Sequence, residues 1–308
     1  MSIDIPFASA LNPYVRVLGK HLDTMAARGA EDATADRDRW RSARFERLAA
    51  RMYPDAPLSL LTISVEALVW VFDYDDYLAD VPTESEQDAT RQLAWFTARI
   101  LAGEVTSRPA PPMGLLWDVC AKARTIGDDA WCFRFRRDVQ DFADRMYEEA
   151  CSRADRQPPA PAAYEQLRRG TSGWALLTDL AELTAGAALA QDVVSSDRYH
   201  RVRWAAGDLA CAVNDLLSYP KELAAGEYHN LVMVLEHSRQ VSVAEARELV
   251  SEMIGERLAD YQQARGEFLS WHPSAEAYVR ALEYLVRGSL DWSLESGRYP
   301  ELVSAGRP

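Results

Sequence analysis

The chain has 308 residues, 48% of them apolar, and a formal net charge of -13. That length and apolar share suffice for one large domain with a sizeable core. An acidic chain without a basic stripe argues against nucleic acid as a partner, so an anionic substrate would need bound metal and locally placed arginines.

The N-terminus lacks a basic start followed by an apolar run, so no signal peptide is expected, and residues 1–12 read as a flexible arm. Helical periodicity dominates from there on. The first expected helices are Tyr14–Arg28 and Arg37–Met52. After Pro54 comes Leu58–Leu78, whose apolar run Ala67–Phe72 is far too short to span a bilayer. Pro82 separates it from Glu86–Ala102. Arg108–Met113 (RPAPPM) cannot continue a helix and reads as a surface loop before Gly114–Ala123 and Ala130–Arg153. Gln157–Pro161 (QPPAP) is a second such loop, followed by Ala162–Gly170 and Ala175–Leu189. Ser196–Tyr219 is expected to stop at Pro220, which lacks a helical N–H and disfavours helix at the residue before it. Asn230–Glu236, Ser242–Ser270 and Ala275–Glu295 complete the series, and Ser242 with Glu245 three residues on forms a capping box. Strand patterns are scarce, the loops are short and no internal repeat appears, so the reading is one all-α domain. Cys120, Cys132, Cys151 and Cys211 have no C-x-x-C spacing and read as reduced core thiols of a cytoplasmic protein.

The most informative stretch is NDLLSYPKE, Asn214 to Glu222. Asn214, Ser218 and Glu222 recur every four residues, which stacks an amide, a hydroxyl and a carboxylate along one helical face. Such oxygen donors suit a hard cation like Mg2+, which keeps waters and takes the rest of its shell from substrate phosphate. Lys221 adds a point charge for that phosphate. The placement of Glu222 is the weaker part, because Pro220 precedes it. A second acidic row, WVFDYDDYLAD from Trp70 to Asp80, closes an apolar helix segment. Asp76 and Asp80 share a face and Asp75 is adjacent, so bridging cations would relieve their mutual repulsion. Taken alone, the row is equally a solvated helix end.

Two further segments gain weight from this company. In RRGTSG, Arg168 lies three and four residues before Thr171 and Ser172, and Gly170 and Gly173 weaken the helix and permit close approach to a ligand. A guanidinium there can grip phosphate oxygens bidentately. Arg298-Tyr299 follow Gly297 at an expected helix end, where both can bond phosphate. Trp70, Phe72, Trp174 and Trp292 are candidates to line a pocket and face a carbocation, although for any single one core packing is the better explanation. The five histidines form no metal pair, and no nucleophile elbow, P-loop or dinucleotide fingerprint appears.

Together these residues resemble the bacterial class I terpene synthases over nearly the whole chain. The opening IPFASALNPYV looks like their usual start, and NDLLSYPKE fits their N-D-x-x-S-x-x-K-E metal motif without departure. Arg168 precedes Asn214 by 46 positions, where the family places its pyrophosphate-sensing arginine. Thr171 and Ser172 then fall at its linker and effector positions, and Arg298-Tyr299 match its terminal R-Y pair. The aspartate-rich motif departs: the family commonly has D-D-x-x-D, whereas Ala79 stands at the last position here and Asp80 follows. The resemblance implies a single helical domain with a central apolar pocket, and Mg2+, usually three ions, held by Asp75, Asp76, Asp80, Asn214, Ser218 and Glu222. It also implies a prenyl diphosphate bound by Arg168, Lys221, Arg298 and Tyr299, with Phe72 and Trp292 along the prenyl chain. Thr171 and Ser172 would couple diphosphate binding to closure, with the Ser172 carbonyl turned to the nascent cation. Farnesyl diphosphate has the highest prior as substrate by family analogy, with geranyl, geranylgeranyl and pre-cyclised diphosphates open. No stable membrane insertion is implied, and a homodimer is admitted. Alternatives are a prenyl-elongating transferase and a non-catalytic diphosphate-binding protein. Asp73, Asp75 and Asp76 also spell D-x-D-D, the general-acid pattern of class II terpene cyclases, but those enzymes are much longer chains.

Overall fold

A computed structural model describes residues 3–29, 33–79, 81, 83–186 and 189–299. The helices are α1 (Val15–Gly29), α2 (Ala33–Ala43), α3 (Phe45–Met52), α4 (Leu58–Ala79), α5 (Thr83–Ala102), α6 (Met113–Ala123), α7 (Asp129–Arg153), α8 (Pro161–Thr171), α9 (Trp174–Thr184), α10 (Gln191–Val194), α11 (Asp197–Ala225), α12 (Leu231–Arg239), α13 (Val243–Trp271) and α14 (Glu276–Glu295), with one 3-10 turn at Pro273–Ala275. Among the described residues there is no strand, and no helix is long and apolar enough to cross a membrane.

Four expectations are corrected. The helix expected over Arg37–Met52 breaks at Arg44, which adopts a left-handed conformation (φ 56°). The break frees the Ala43 carbonyl, and α14 takes it: the Trp292 indole N–H donates to it at 2.6 Å and the Ser296 hydroxyl at 3.1 Å. Pro220 does not end its helix. It removes one N–H, yet α11 continues to Ala225 and stops at Gly226, whose φ of 75° suits a C-cap glycine. Glu222 therefore lies on the same helix as Asn214 and Ser218. The helix expected over Ala175–Leu189 ends at Thr184, ahead of the short α10. Finally, the N-terminal arm is packed from residue 3 onward. Ile5 is buried and its carbonyl accepts from Arg287 at 2.8 Å, Phe7 sets its edge against Tyr261, and Asn12 donates to the carbonyls of Tyr53 and Ala56.

The buried apolar residues form one connected cluster. α4 sits deep within it, with Leu60, Leu61, Ile63, Val65, Ala67, Leu68, Val69 and Trp70 all buried, so its apolar residues do not keep to one stripe. Buried charge is paired. Arg203 of α11 bonds Asp138 of α7 at 2.8 Å, Asp179 of α9 at 2.9 Å and the Thr178 hydroxyl at 2.6 Å, tying three helices behind the site. Ser242 and Glu245 make the expected capping box at the start of α13. The cysteines are all free thiols.

α3 and α14 meet backbone to backbone. A Cβ on Gly288 would lie 2.6 Å from the Arg51 carbonyl carbon and 2.7 Å from the Met52 nitrogen, so neither helix can yield without moving. Gly288→Ala is expected to destabilise the fold by about 1–3 kcal/mol, read as a lower urea midpoint. The same pair of helices is clamped by Glu295, which accepts from Arg47 at 2.8 and 3.0 Å and from Arg51 at 2.8 and 3.3 Å. Burial pushes the Glu295 carboxyl up, but these bonds outweigh it and hold it down at about 2. The folded value lies below the ordinary 4.5, so the clamp stabilises fully above that pH and its contribution fades as pH falls toward about 2. Glu295→Gln should remove this share of the acid dependence, measured as the slope of stability against pH in that window.

Candidate active site

A single cavity of about 220 Å³ gathers side chains from α3, α4, α7, α8, α9, α11 and α14. Along α4 its lining runs from Leu68 to Asp76, along α7 from Phe142 to Arg153, and along α11 from Ala210 through Lys221 and Glu222 to Ala225. The passage from apolar to charged in each case puts the mouth at the C-terminal ends of these helices. Helix C-termini carry partial negative charge and favour cations there. The acidic wall and the Asn214 row thus open into one space.

On the α4 wall, Arg298 grips Asp76 with both guanidinium nitrogens, at 3.1 and 2.8 Å, and stands 3.8 Å from Asp75. Burial opposes ionisation of Asp76, but this pairing holds its carboxyl below the usual range. Asp75 leaves 53% of its side chain accessible, to the crowded cavity mouth, and burial raises its carboxyl against the pull of Arg298 and Lys221. Arg298 also stacks on Phe72, 4.7 Å from the ring centre, and Phe72 touches Phe45 and Trp292. Asp80 lies outside the described residues. Asp73 turns away: it bonds Arg39 at 2.8 Å and the Trp40 indole at 3.0 Å and takes no part in the cavity lining. The D-x-D-D row is therefore split: Asp75 and Asp76 face the cavity and Asp73 is spent on α2.

On the α11 wall, Asn214 and Glu222 line the cavity, with Ser218 buried between them. Arg168 donates to the Asn214 side-chain oxygen at 2.8 Å and to Asp215 at 3.1 Å. Tyr164 also donates to Asp215, and the Asn214 amide donates to the Tyr299 hydroxyl at 3.3 Å. Burial, with Asp215 adding to it, pushes the Glu222 carboxyl up to about 7 against Arg168 and the bond from Asn230. Lys221 lines the mouth and, among the described residues, makes no hydrogen bond or ion pair, so its ammonium is free for an anion. Arg169, the neighbour of Arg168, points elsewhere and pairs with Asp208.

Between the walls the chain breaks. α8 ends at Thr171, Ser172 caps it, and Gly173 (φ 66°) starts α9. A Cβ at Gly173 would crowd Val71 at 3.3 Å, and the left-handed φ favours glycine independently. Thr171, Ser172 and Trp174 all line the cavity at this break. The Ser172 hydroxyl donates to the Arg169 carbonyl and accepts from the Trp174 amide. Trp174 is fixed by its indole bond to the Arg203 carbonyl at 2.8 Å. Of the four aromatics singled out in the sequence, Phe72, Trp174 and Trp292 line the cavity; Trp70 packs against Tyr74 and Phe142 instead.

Among the described residues, no three His, Cys, Asp or Glu side chains converge as a self-sufficient metal cage. Each wall offers oxygen donors only: Asp75 and Asp76 on one, Asn214, Ser218 and Glu222 on the other. That set fits Mg2+, whose shell is then completed by substrate oxygens and water. The buried Ser218 hydroxyl sits beside Glu222 and helps to lower its carboxyl, which leaves the hydroxyl oxygen's lone pairs for an ion.

The family model for terpene synthase family 2, C-terminal metal binding, matches residues 66–260. The chain belongs to the terpene synthase family. Among curated relatives, it is 30% identical over 306 residues to a 4-epi-cubebol synthase ((2E,6E)-farnesyl diphosphate cyclizing) of Streptosporangium roseum, covering 98% of this chain and 92% of the relative. It is 30% identical to a pentalenene synthase of Streptomyces avermitilis, over 96% and 91% of the two chains. Its fold matches germacradien-4-ol synthase from Streptomyces citricolor with a TM-score of 0.80 at 21% identity, over 95% of this chain and 98% of that one. This terpene synthase is accordingly a carbon–oxygen lyase acting on a diphosphate.

Residues that sequence reasoning missed complete the terpene synthase site. Glu149, Arg153, Glu227 and His229 share the cavity lining, with Arg153 bonded to Glu149 at 2.7 Å and Glu86 at 2.7 Å. Asn230 is fully buried and does three jobs: it caps α12 through Val232, donates to the Asp215 carbonyl at 2.8 Å and donates to Glu222 at 2.8 Å. In the sequence it reads only as the first residue of the expected helix Asn230–Glu236, which gives no hint of these bonds. Asn230→Ala should cost about 1–3 kcal/mol, more than the exposed cap substitution Ser242→Ala, in paired urea titrations.

Proposed function

We propose that this terpene synthase ionises farnesyl diphosphate with Mg2+ and cyclises the resulting cation to a terpene hydrocarbon or alcohol. The observation that carries the reading is the sharing of one cavity by two oxygen-donor walls, four groups able to hold diphosphate, and an aromatic lining beneath them. The (2E,6E)-farnesyl diphosphate-cyclising relative favours farnesyl over the shorter and longer chains.

Asp75 and Asp76 from one side and Asn214, Ser218 and Glu222 from the other would hold Mg2+, three ions by family pattern, with Asp80 a further ligand by resemblance alone. When bound, the metal supplies Lewis-acid stabilisation to the departing diphosphate. Arg168, Lys221, Arg298 and Tyr299 bind the diphosphate oxygens and stabilise the charge that grows as the allylic C–O bond breaks. The bonding pair leaves with oxygen and the prenyl chain becomes a cation. Arg168 and Arg298 now occupy Asn214 and Asp76, so turning to substrate also releases those two oxygen donors. Thr171 and Ser172 sit at the helix break, where a small movement can couple diphosphate capture to closure. The faces of Phe72, Trp174 and Trp292 stabilise the cation and exclude water until a proton is lost or water is admitted. The enzyme acts in the cytoplasm on a dissolved prenyl diphosphate, as a monomer or a homodimer.

Incubation with Mg2+ and geranyl, farnesyl or geranylgeranyl diphosphate, followed by gas chromatography, should yield a cyclic product from farnesyl diphosphate and none after chelation. Asn214→Ala and Glu222→Ala should each lower turnover on the order of 100-fold. Turnover that survives both substitutions would sink the metal assignment, and elongation in the presence of isopentenyl diphosphate would reassign the enzyme as a transferase.

A further inference from the structure

We propose that Met52 is the floor of the substrate cavity and sets the longest prenyl chain the enzyme accepts. The inference rests on the prenyl diphosphate reading and deepens it.

Met52 is the last residue of α3 and lines the main cavity one turn beyond Leu48. It also lines a second cavity, of about 180 Å³, with Pro54, Asp55, Thr184, Ala281 and Tyr284. Among the described residues no other side chain borders both spaces. At the start of the same helix Phe45 packs on Phe72, the ring that carries Arg298, so Met52 stands at the other end of α3 from the Arg298–Asp76 pair. Met52 is thus a partition between an apolar pocket and a second space. That second space reaches solvent: Asp55 and Arg280 on its rim expose 60% and 52% of their side chains.

The backbone at this point cannot slide to close a gap. Gly288 presses against the Met52 nitrogen, as described above. The Tyr53 hydroxyl donates to the Leu177 carbonyl at 3.0 Å, and Asn12 holds the Tyr53 carbonyl at 3.0 Å. The side chain itself is unbranched and fills irregular space. Shortening it removes the partition while the surroundings stay in place, so the hole persists. The main cavity then gains depth in the direction in which a prenyl tail points, by the room the second cavity holds.

The test compares the rate of diphosphate release, as kcat/KM, from farnesyl and geranylgeranyl diphosphate in wild type, Met52→Ala and Leu48→Ala. The ratio favouring the longer chain should rise about tenfold or more in M52A, what a pocket methylene or two is worth. L48A enlarges the main cavity alone and should raise it little. A ratio in M52A within about twofold of wild type overturns the proposal, as does an equal rise in L48A or a wild type that already takes both chains equally. If M52A melts below assay temperature, Met52→Val makes the same comparison with a smaller expected rise. Wild type that releases diphosphate from neither chain sinks the farnesyl reading itself. The floor is then judged by melting shifts with unreactive farnesyl and geranylgeranyl thiodiphosphates: a gain for the longer analogue confined to M52A supports it, and equal shifts in both proteins overturn it.

Discussion

The Asp215 carboxylate accepts the Tyr164 hydroxyl, the Arg168 guanidinium and the Leu231 amide, while its own backbone carbonyl takes Asn230. α8, α11 and α12 meet on this one buried group. A buried carboxylate is costly unless its lone pairs are satisfied, and here the partners arrive from the two helices packed against its own. Once Asp215 is satisfied, Arg168 is placed against Asn214, and Asn230 is placed against Glu222. The Asn214–Glu222 row is then held by Arg168 from within the cavity and by the buried Asn230 from behind it. Loss of that carboxylate would leave the buried Tyr164 hydroxyl without its partner and Arg168 without its counter-charge, which is a larger fault than the loss of one bond.

The two walls are balanced by internal pairing. Arg298 neutralises Asp76 on one side, and Arg168 neutralises Asp215 on the other. Both guanidiniums reach the cavity, so the charges that keep the walls from repelling are the same charges that, on the proposed reading, would meet an anion. Lys221 alone enters the mouth without an internal partner among the described residues. An acidic chain with a net charge of -13 can therefore present a cationic focus in one place without a basic surface elsewhere.

Much of the site was legible because it is periodic. Asn214, Ser218 and Glu222 share a face for the simple reason that about 3.6 residues make a turn, and the glycines around Thr171 and Ser172 announced the break. What was not legible depends on distant partners. Nothing local marks Arg44 as a break; its cause is the capture of the Ala43 carbonyl by Trp292 and Ser296, 249 and 253 residues later. Pro220 looked like a stop, but one missing N–H is tolerable when helix packing on both sides persists. Trp70 and Phe72 are two residues apart on one helix, and only the fold decides which faces the pocket. Asn230 read as an ordinary first residue of a helix, and nothing near it in sequence marks its bond to Glu222. The lower partition at Met52 has no sequence signature, since a buried methionine looks the same in any core.

The segment after α14 hangs from the α2–α3 corner: Ser296 and Trp292 bond Ala43, Gly297 donates to the Ser42 carbonyl at 3.0 Å, and a Cβ there would strike Ser42 at 2.7 Å. Arg298 is carried to Asp76 by that attachment. During synthesis, then, a nascent chain can acquire both rows of oxygen donors long before it possesses the guanidinium that quiets Asp76. The pocket stays electrostatically unfinished until the stretch carrying Arg298 emerges from the ribosome and docks against a corner made much earlier.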